Sequence, residues 1–179
     1  MNRRKKIIYC FGIHNPLFDE MKKKILNITF LKGLPTMEVV EDIIADDCHN
    51  LIVLGNLMHR VVQDMEMLFT QGCHHRRLSV IFITQNILRR GYQSRTIALN
   101  TTYMVLMTNI RDVSQVATLG RQLFPEHSSV DAELRRCIVQ MSPYNYLALD
   151  MSLHSDDKYR LRTNVFPGED TIVYVPKGL

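Results

Sequence analysis

The chain has 179 residues and a mass of 20.8 kDa, enough for one α/β domain and tight for two. Hydrophobic residues make up 46% and charged residues 22%, close to the soluble globular average, which argues against a disordered chain, a collagen-like repeat or a coiled coil. Lysine plus arginine exceed aspartate plus glutamate by 22 to 18, and the resulting +4 suits contact with nucleic acid without requiring it.

The start, MNRRKKIIYCFGIHN, carries a basic cluster, but its apolar run is too short for a leader and no small-residue cleavage site follows. No apolar stretch approaches the ~18 residues of a membrane span, so the expectation is a soluble intracellular protein. Ile7 to Phe11 within that start reads as a first strand. The basic groups, Arg3 to Lys6, Lys22 to Lys24, and Arg76, Arg77, Arg89, Arg90 and Arg95, have solvated surface as their simplest explanation. Cys10, Cys48, Cys73 and Cys137 form no CxxC, which predicts reduced, mostly buried thiols rather than a disulfide framework or a zinc ribbon.

Leu51 to Leu54 opens a series of short apolar runs. A helix is predicted next, over Leu57 to Thr70, because Leu57, Val61, Met65 and Leu68 fall on one stripe before Gly72 offers a stop. Val80 to Ile83 and Tyr103 to Met107 are the second and third runs. Asp112 to Leu123 then begins with a capping acid and carries Val116, Leu119 and Leu123 on one face; Ser128 or Ser129 could cap a third helix ending at Gln140. Tyr146 to Leu149 is the fourth run, and Ile172 to Val175 adds a late strand closed by Pro176. The four runs are apolar throughout rather than alternating, as in strands covered on both faces. Strands alternating with helices predict a mostly parallel sheet with right-handed crossovers. Pro143 and Pro167-Gly168 read as turns inside a single domain spanning residues 1–179.

Open parallel sheets bind ligands beyond the carboxyl ends of their strands. Those ends are Gly55-Asn56, Thr84-Gln85-Asn86, Thr108-Asn109 and Asp150. Each alone is explained by the chain leaving the core, but SVIFITQN delivers a neutral amide, Gln85, that could orient a water beside phosphate without adding negative charge. Just before that strand, Cys73-His74-His75-Arg76-Arg77 presents two guanidinium groups.

The blocks FTQGCHHRRLSVIFITQN, SRTIALN, YMVLMTNIRD, LGRQLFP, PYNYLALD and RLRTNVFPGED, in this order between Lys6 and Lys177, closely resemble the genome-packaging ATPases of the FtsK–HerA superfamily, particularly those of Polinton and adintovirus elements. The resemblance implies a RecA-like P-loop NTPase core, truncated at its N-terminus. It implies ATP and magnesium as the family's cofactors. Duplex DNA, further copies of the chain in a ring, and a capsid protein are the implied partners, and the nucleus or a viral assembly site the implied place of action. Leu51 to Leu54 matches the Walker B strand, Gln85 the sensor residue, and Arg76 the arginine offered to a neighbour's ATP, with Arg77 as runner-up. Such an arginine stabilises charge developing on the transferred phosphoryl group.

Two departures from that pattern decide the expected activity. After the apolar run the family reads Asp-Asp, whereas here Gly55 and Asn56 occupy the nucleotide-binding positions and neither supplies a carboxylate. Asp46 and Asp47 precede the strand, at its opposite end. The chain also contains no GxxxxGK[ST], the loop whose backbone N–H groups cradle phosphate, and its eight glycines nowhere cluster into one. Hydrogen bonds to charged groups are worth about 1.5–3 kcal/mol each, so losing several removes most of the affinity for Mg²⁺·ATP. The expectation is therefore a chain that binds no cofactor and does not hydrolyse ATP.

The remaining candidates read more plainly. His74-His75 beside Cys73 lacks a second cluster at ligand spacing, so no metal site is expected. Arg111-Asp112 is explained equally well by a nucleotide contact and by an ion pair at a helix start. Asp150 is expected to be structural, and spacing alone assigns no task to Arg160 or Arg162.

Overall fold

The computed structural model describes residues 6–44, 49–55, 57, 68–69, 77–85, 97–107, 118 and 145–175. The chain divides into two compact units, Met1–Asn100 and Thr101–Leu179.

The first unit is built on four parallel strands in the order β2-β1-β3-β4: β1 (Ile7–Phe11), β2 (Ile28–Lys32), β3 (Asn50–Gly55) and β4 (Leu78–Ile83). Two short helices lie between them in sequence, α1 (Leu17–Lys24) and α2 (Met37–Ile44). Helix α1 starts where the Asn15 side chain accepts from the Leu17 N–H at 3.0 Å. Asp19 and Glu20 stand in its first turn and Lys22, Lys23 and Lys24 in its last, the arrangement that complements the helix dipole. Asn27, with φ of 62°, reverses the chain into β2; asparagine tolerates this left-handed conformation better than most residues. Helix α2 starts at Thr36, whose Oγ1 accepts from the Val39 N–H at 3.4 Å.

Alternation along the strands sends the two sides of this sheet to different partners. Ile8 and Cys10 of β1 and Ile52 and Leu54 of β3 join Val40 of α2, together with Leu57, Leu68, Phe69, Leu78 and Ile97, in one buried cluster. On the other side Phe18 of α1 packs its ring 5.2 Å from Tyr9, 5.0 Å from Phe11 and 4.8 Å from Phe30. Aromatic pairs of this kind add about 0.5–1.5 kcal/mol each beyond the area they bury. That cover stops short of β4. In the register Val53↔Ile81 and Gly55↔Ile83, Ile81 and Ile83 face the α1 side and are 47% and 50% exposed. Among the described residues no strand pairs with the outer edge of β4.

The second unit holds an antiparallel sheet in the order β5-β6-β7-β8: β5 (Tyr103–Met107), β6 (Tyr146–Asp150), β7 (Leu161–Thr163) and β8 (Ile172–Tyr174). This corrects the expectation that Tyr103 to Met107 and Tyr146 to Leu149 are central strands of the parallel sheet. They pair with each other in opposite directions, Tyr103 against Asp150 and Met107 against Tyr146. The physical reason is one-sided burial: Met104, Leu106, Leu147 and Leu149 are buried, while Tyr103, Val105 and Met107 point outward and are exposed. An apolar residue on the wet face makes a half-buried strand look like a fully buried one.

The expected strands at Ile7–Phe11, Leu51–Leu54, Val80–Ile83 and Ile172–Val175 are present within a residue or two of their predicted bounds, and Pro167-Gly168 forms a turn with Gly168 at φ of 92°. The helices predicted over 57–70, 112–123 and 128–140 lie almost wholly outside the described residues. Of the first stripe, Leu57 and Leu68 are described, and both are buried in the core.

Candidate functional site

Because β1 to β4 run parallel and in register, their carboxyl ends gather along one edge, with Phe11 beside Lys32, Phe11 beside Gly55 and Gly55 beside Ile83. The connections leaving β1 and β3 start on opposite sides of the sheet, since α1 meets the Tyr9 face whereas Leu57, Leu68 and Phe69, which follow β3, are buried with Cys10 and Leu54. The crevice between the ends of β1 and β3 is thus a topological switch point, where open α/β sheets hold their ligands.

Gly55 ends β3 at this crevice and is buried. A Cβ built there would stand 2.6 Å from Tyr9 Oη and 3.0 Å from Tyr9 Cε1 and Cζ. Glycine at this position accommodates the Tyr9 ring, which leans two residues along the sheet from its own register partner, Val53. Thr84 and Gln85 follow β4 at the same edge, Thr84 half-buried and Gln85 exposed. The fold therefore brings Gly55 and Gln85 to one end of neighbouring strands.

Arg77 is at the other end. Its carbonyl accepts from the Asn50 N–H at 2.8 Å, where β3 begins, and its side chain is exposed. The length of β4 separates it from Gln85 within one chain, roughly 20 Å at about 3.3 Å per residue. Arg76, Asn56, Asp46, Asp47, His74, His75 and Arg111 lie outside the described residues. Among those described, no three His, Cys, Asp or Glu side chains come together to hold a metal ion, and no helix is long and apolar enough to cross a membrane. Cys10 is buried in the core, and burial pushes its thiol up to about 12, which keeps it protonated and unreactive.

The second unit has a polar knot centred on the Asp150 carboxylate. Asp150 is buried at the end of β6. Its Oδ1 accepts from the Ser152 N–H at 3.0 Å and the Ser152 hydroxyl at 2.7 Å, and its Oδ2 accepts from the Ser155 hydroxyl and from Arg162 Nη2 at 3.3 Å. Burial pushes this carboxyl up, but the bonds from Ser155 and Ser152 and the Arg162 charge outweigh it and hold the group below the usual carboxylate value. Arg160 closes the loop by donating from Nη1 to the carbonyls of Asp150 at 3.1 Å and Ser152 at 2.9 Å, while its Nε pairs with Asp157 at 2.6 Å. Every polar atom of the Asp150 carboxylate is occupied in holding the chain, in keeping with the structural role expected for it. Arg160 and Arg162 acquire the same task here, and the pattern Asp-x-Ser-x-x-Ser was the signal available in the sequence.

No protein-family model matches the chain, and neither a curated protein nor a solved structure matches it.

Proposed function

We propose that the chain is a RecA-like core related to the DNA-packaging ATPases of viruses and transposons, and that it no longer hydrolyses ATP. The observation that carries this reading is the carboxyl edge of the parallel sheet, where Gly55 ends β3 beside the Thr84-Gln85 end of β4. A water-orienting amide is present at that edge and the metal-holding acid is replaced by glycine. The arginine this reading offers to a neighbouring subunit is Arg76, with Arg77, just before the amino end of β4, as runner-up. No bound nucleotide or magnesium is part of the proposal; duplex DNA, further copies of the chain and a capsid protein are its partners.

Exposed Ile81 and Ile83 on β4 favour a second reading, a non-catalytic protein that binds a partner or DNA. Phosphate release by the purified chain with ATP, Mg²⁺ and duplex DNA separates the two from an active motor. Background release, unchanged in Gln85→Ala, is expected; turnover that disappears in Gln85→Ala or Arg76→Ala overturns the inactive reading. Filter binding to duplex DNA across a salt series reads the DNA contact itself, with a steep fall in affinity expected as salt rises. Absence of binding at low salt removes DNA as a partner.

A further inference from the structure

The Tyr9 ring and Gly55 meet more closely than any other residue could allow. Two atoms of that ring would lie 3.0 Å from a residue-55 Cβ and its hydroxyl 2.6 Å, inside the separation real Cβ atoms keep. Phe18 and Phe30 flank the ring, 5.2 Å and 5.5 Å from its centroid. Gly55 is not at positive φ, so its backbone places no demand for glycine, and the Tyr9 contact is what keeps a side chain out.

We propose that Tyr9 closes the carboxyl end of β3, its ring filling the volume that a side chain at position 55 needs, so that no carboxylate can stand there while Tyr9 is in place. The consequence for the site rests on the reading of residue 55 as a lost metal-holding position: a single Gly55→Asp change does not reopen it, and the aromatic cover must go as well. The steric pairing itself stands independently of what the edge once bound.

A four-way thermal unfolding cycle on the full chain tests the pairing, using wild type, Gly55→Ala, Tyr9→Val and the double variant. With Tyr9 present, Gly55→Ala lowers Tm by roughly 4–10 °C, as overpacking does. In the Tyr9→Val background the sign reverses, because an alanine free of contact at an ordinary strand φ reduces the entropy of the unfolded chain and raises Tm by about 1–3 °C. Tyr9→Phe removes only the closest atom and leaves an intermediate loss. If Gly55→Ala yields no folded protein with Tyr9 present, folding restored in the double variant meets the expectation. Equal losses in both backgrounds, or no loss beside Tyr9, overturn the proposal. Unfolding is blind to ATP turnover and to DNA, so this cycle and the functional tests fail independently.

Discussion

Leu51–Leu54 and Val80–Ile83 in one sheet look much like Tyr103–Met107 and Tyr146–Leu149 in the other, yet the two sheets are stabilised in different ways. β3 is flanked by strands on both sides, and of its six residues only Leu51 is not buried; its inner side chains join a cluster that includes α2. β5 buries alternate residues only, as β6 does as far as Leu149, and the order of the second unit beyond β6 rests on buried Asp150 with Ser152, Ser155, Arg160 and Arg162. Apolar content alone does not say how a strand is covered. A run covered on both faces has no wet side to vary, whereas an equally apolar run can leave Tyr103, Val105 and Met107 in solvent.

That contrast gives three measurable expectations. The largest is in the parallel sheet: Leu54→Ala deletes a fully buried side chain from the centre of the core and costs about 2–5 kcal/mol, read by denaturant unfolding and by faster hydrogen exchange in β1, β3 and β4. A loss below about 1 kcal/mol would place the core elsewhere. In the antiparallel unit Asp150→Ala costs about 1.5–3 kcal/mol by stripping the hydrogen bonds from a charged group, with exchange rising over 151–163.

This second variant also carries a pH signature. The folded Asp150 carboxyl titrates below its unfolded value, so its stabilisation is fully present above the ordinary carboxylate range and is lost as pH falls through the folded-state pKa. Wild type therefore loses more stability than Asp150→Ala on acidification; parallel acid profiles would show that the carboxylate is not what ties the loop. The smallest effect is Tyr146→Phe. Tyr146 Oη accepts from the Val165 N–H at 2.8 Å at an exposed position, and its loss costs about 0.5 kcal/mol. A cost as large as that of Asp150→Ala would mean the two bonds act as one network, which a double-mutant cycle reads directly.

How much of this was legible beforehand follows from the length and polarity of each element. Five-residue strands such as Ile7–Phe11 announced themselves because nothing polar interrupts them. Helix α1, LFDEMKKK, did not, since only eight residues carry one buried anchor, Phe18, too few turns for a stripe to repeat. β7 has three residues and is held by pairing and by the Thr163 hydroxyl donating to the Tyr146 carbonyl at 2.7 Å, which no local pattern encodes. Strand direction was misread for β5 and β6 because apolar runs carry no sign of whether a neighbour runs parallel. At the candidate site, Gly55 and Gln85 were found by position after a strand. Tyr9 was missed because its part in the site is a contact across strands, visible only once the register sets β1 beside β3.

The knot around Asp150 also bears on how the second unit comes into being. Its bonds to Ser152, Ser155, Arg160 and Arg162 join residues only 2 to 12 positions apart. Closing loops that short costs little chain entropy, whereas bringing β5 to β6 requires closing all of 108–145. The stretch from Tyr146 to Thr163 can order on its own clock and offer β6 and β7 as a ready template, so that the long closure, when it comes, is made onto an edge already in place.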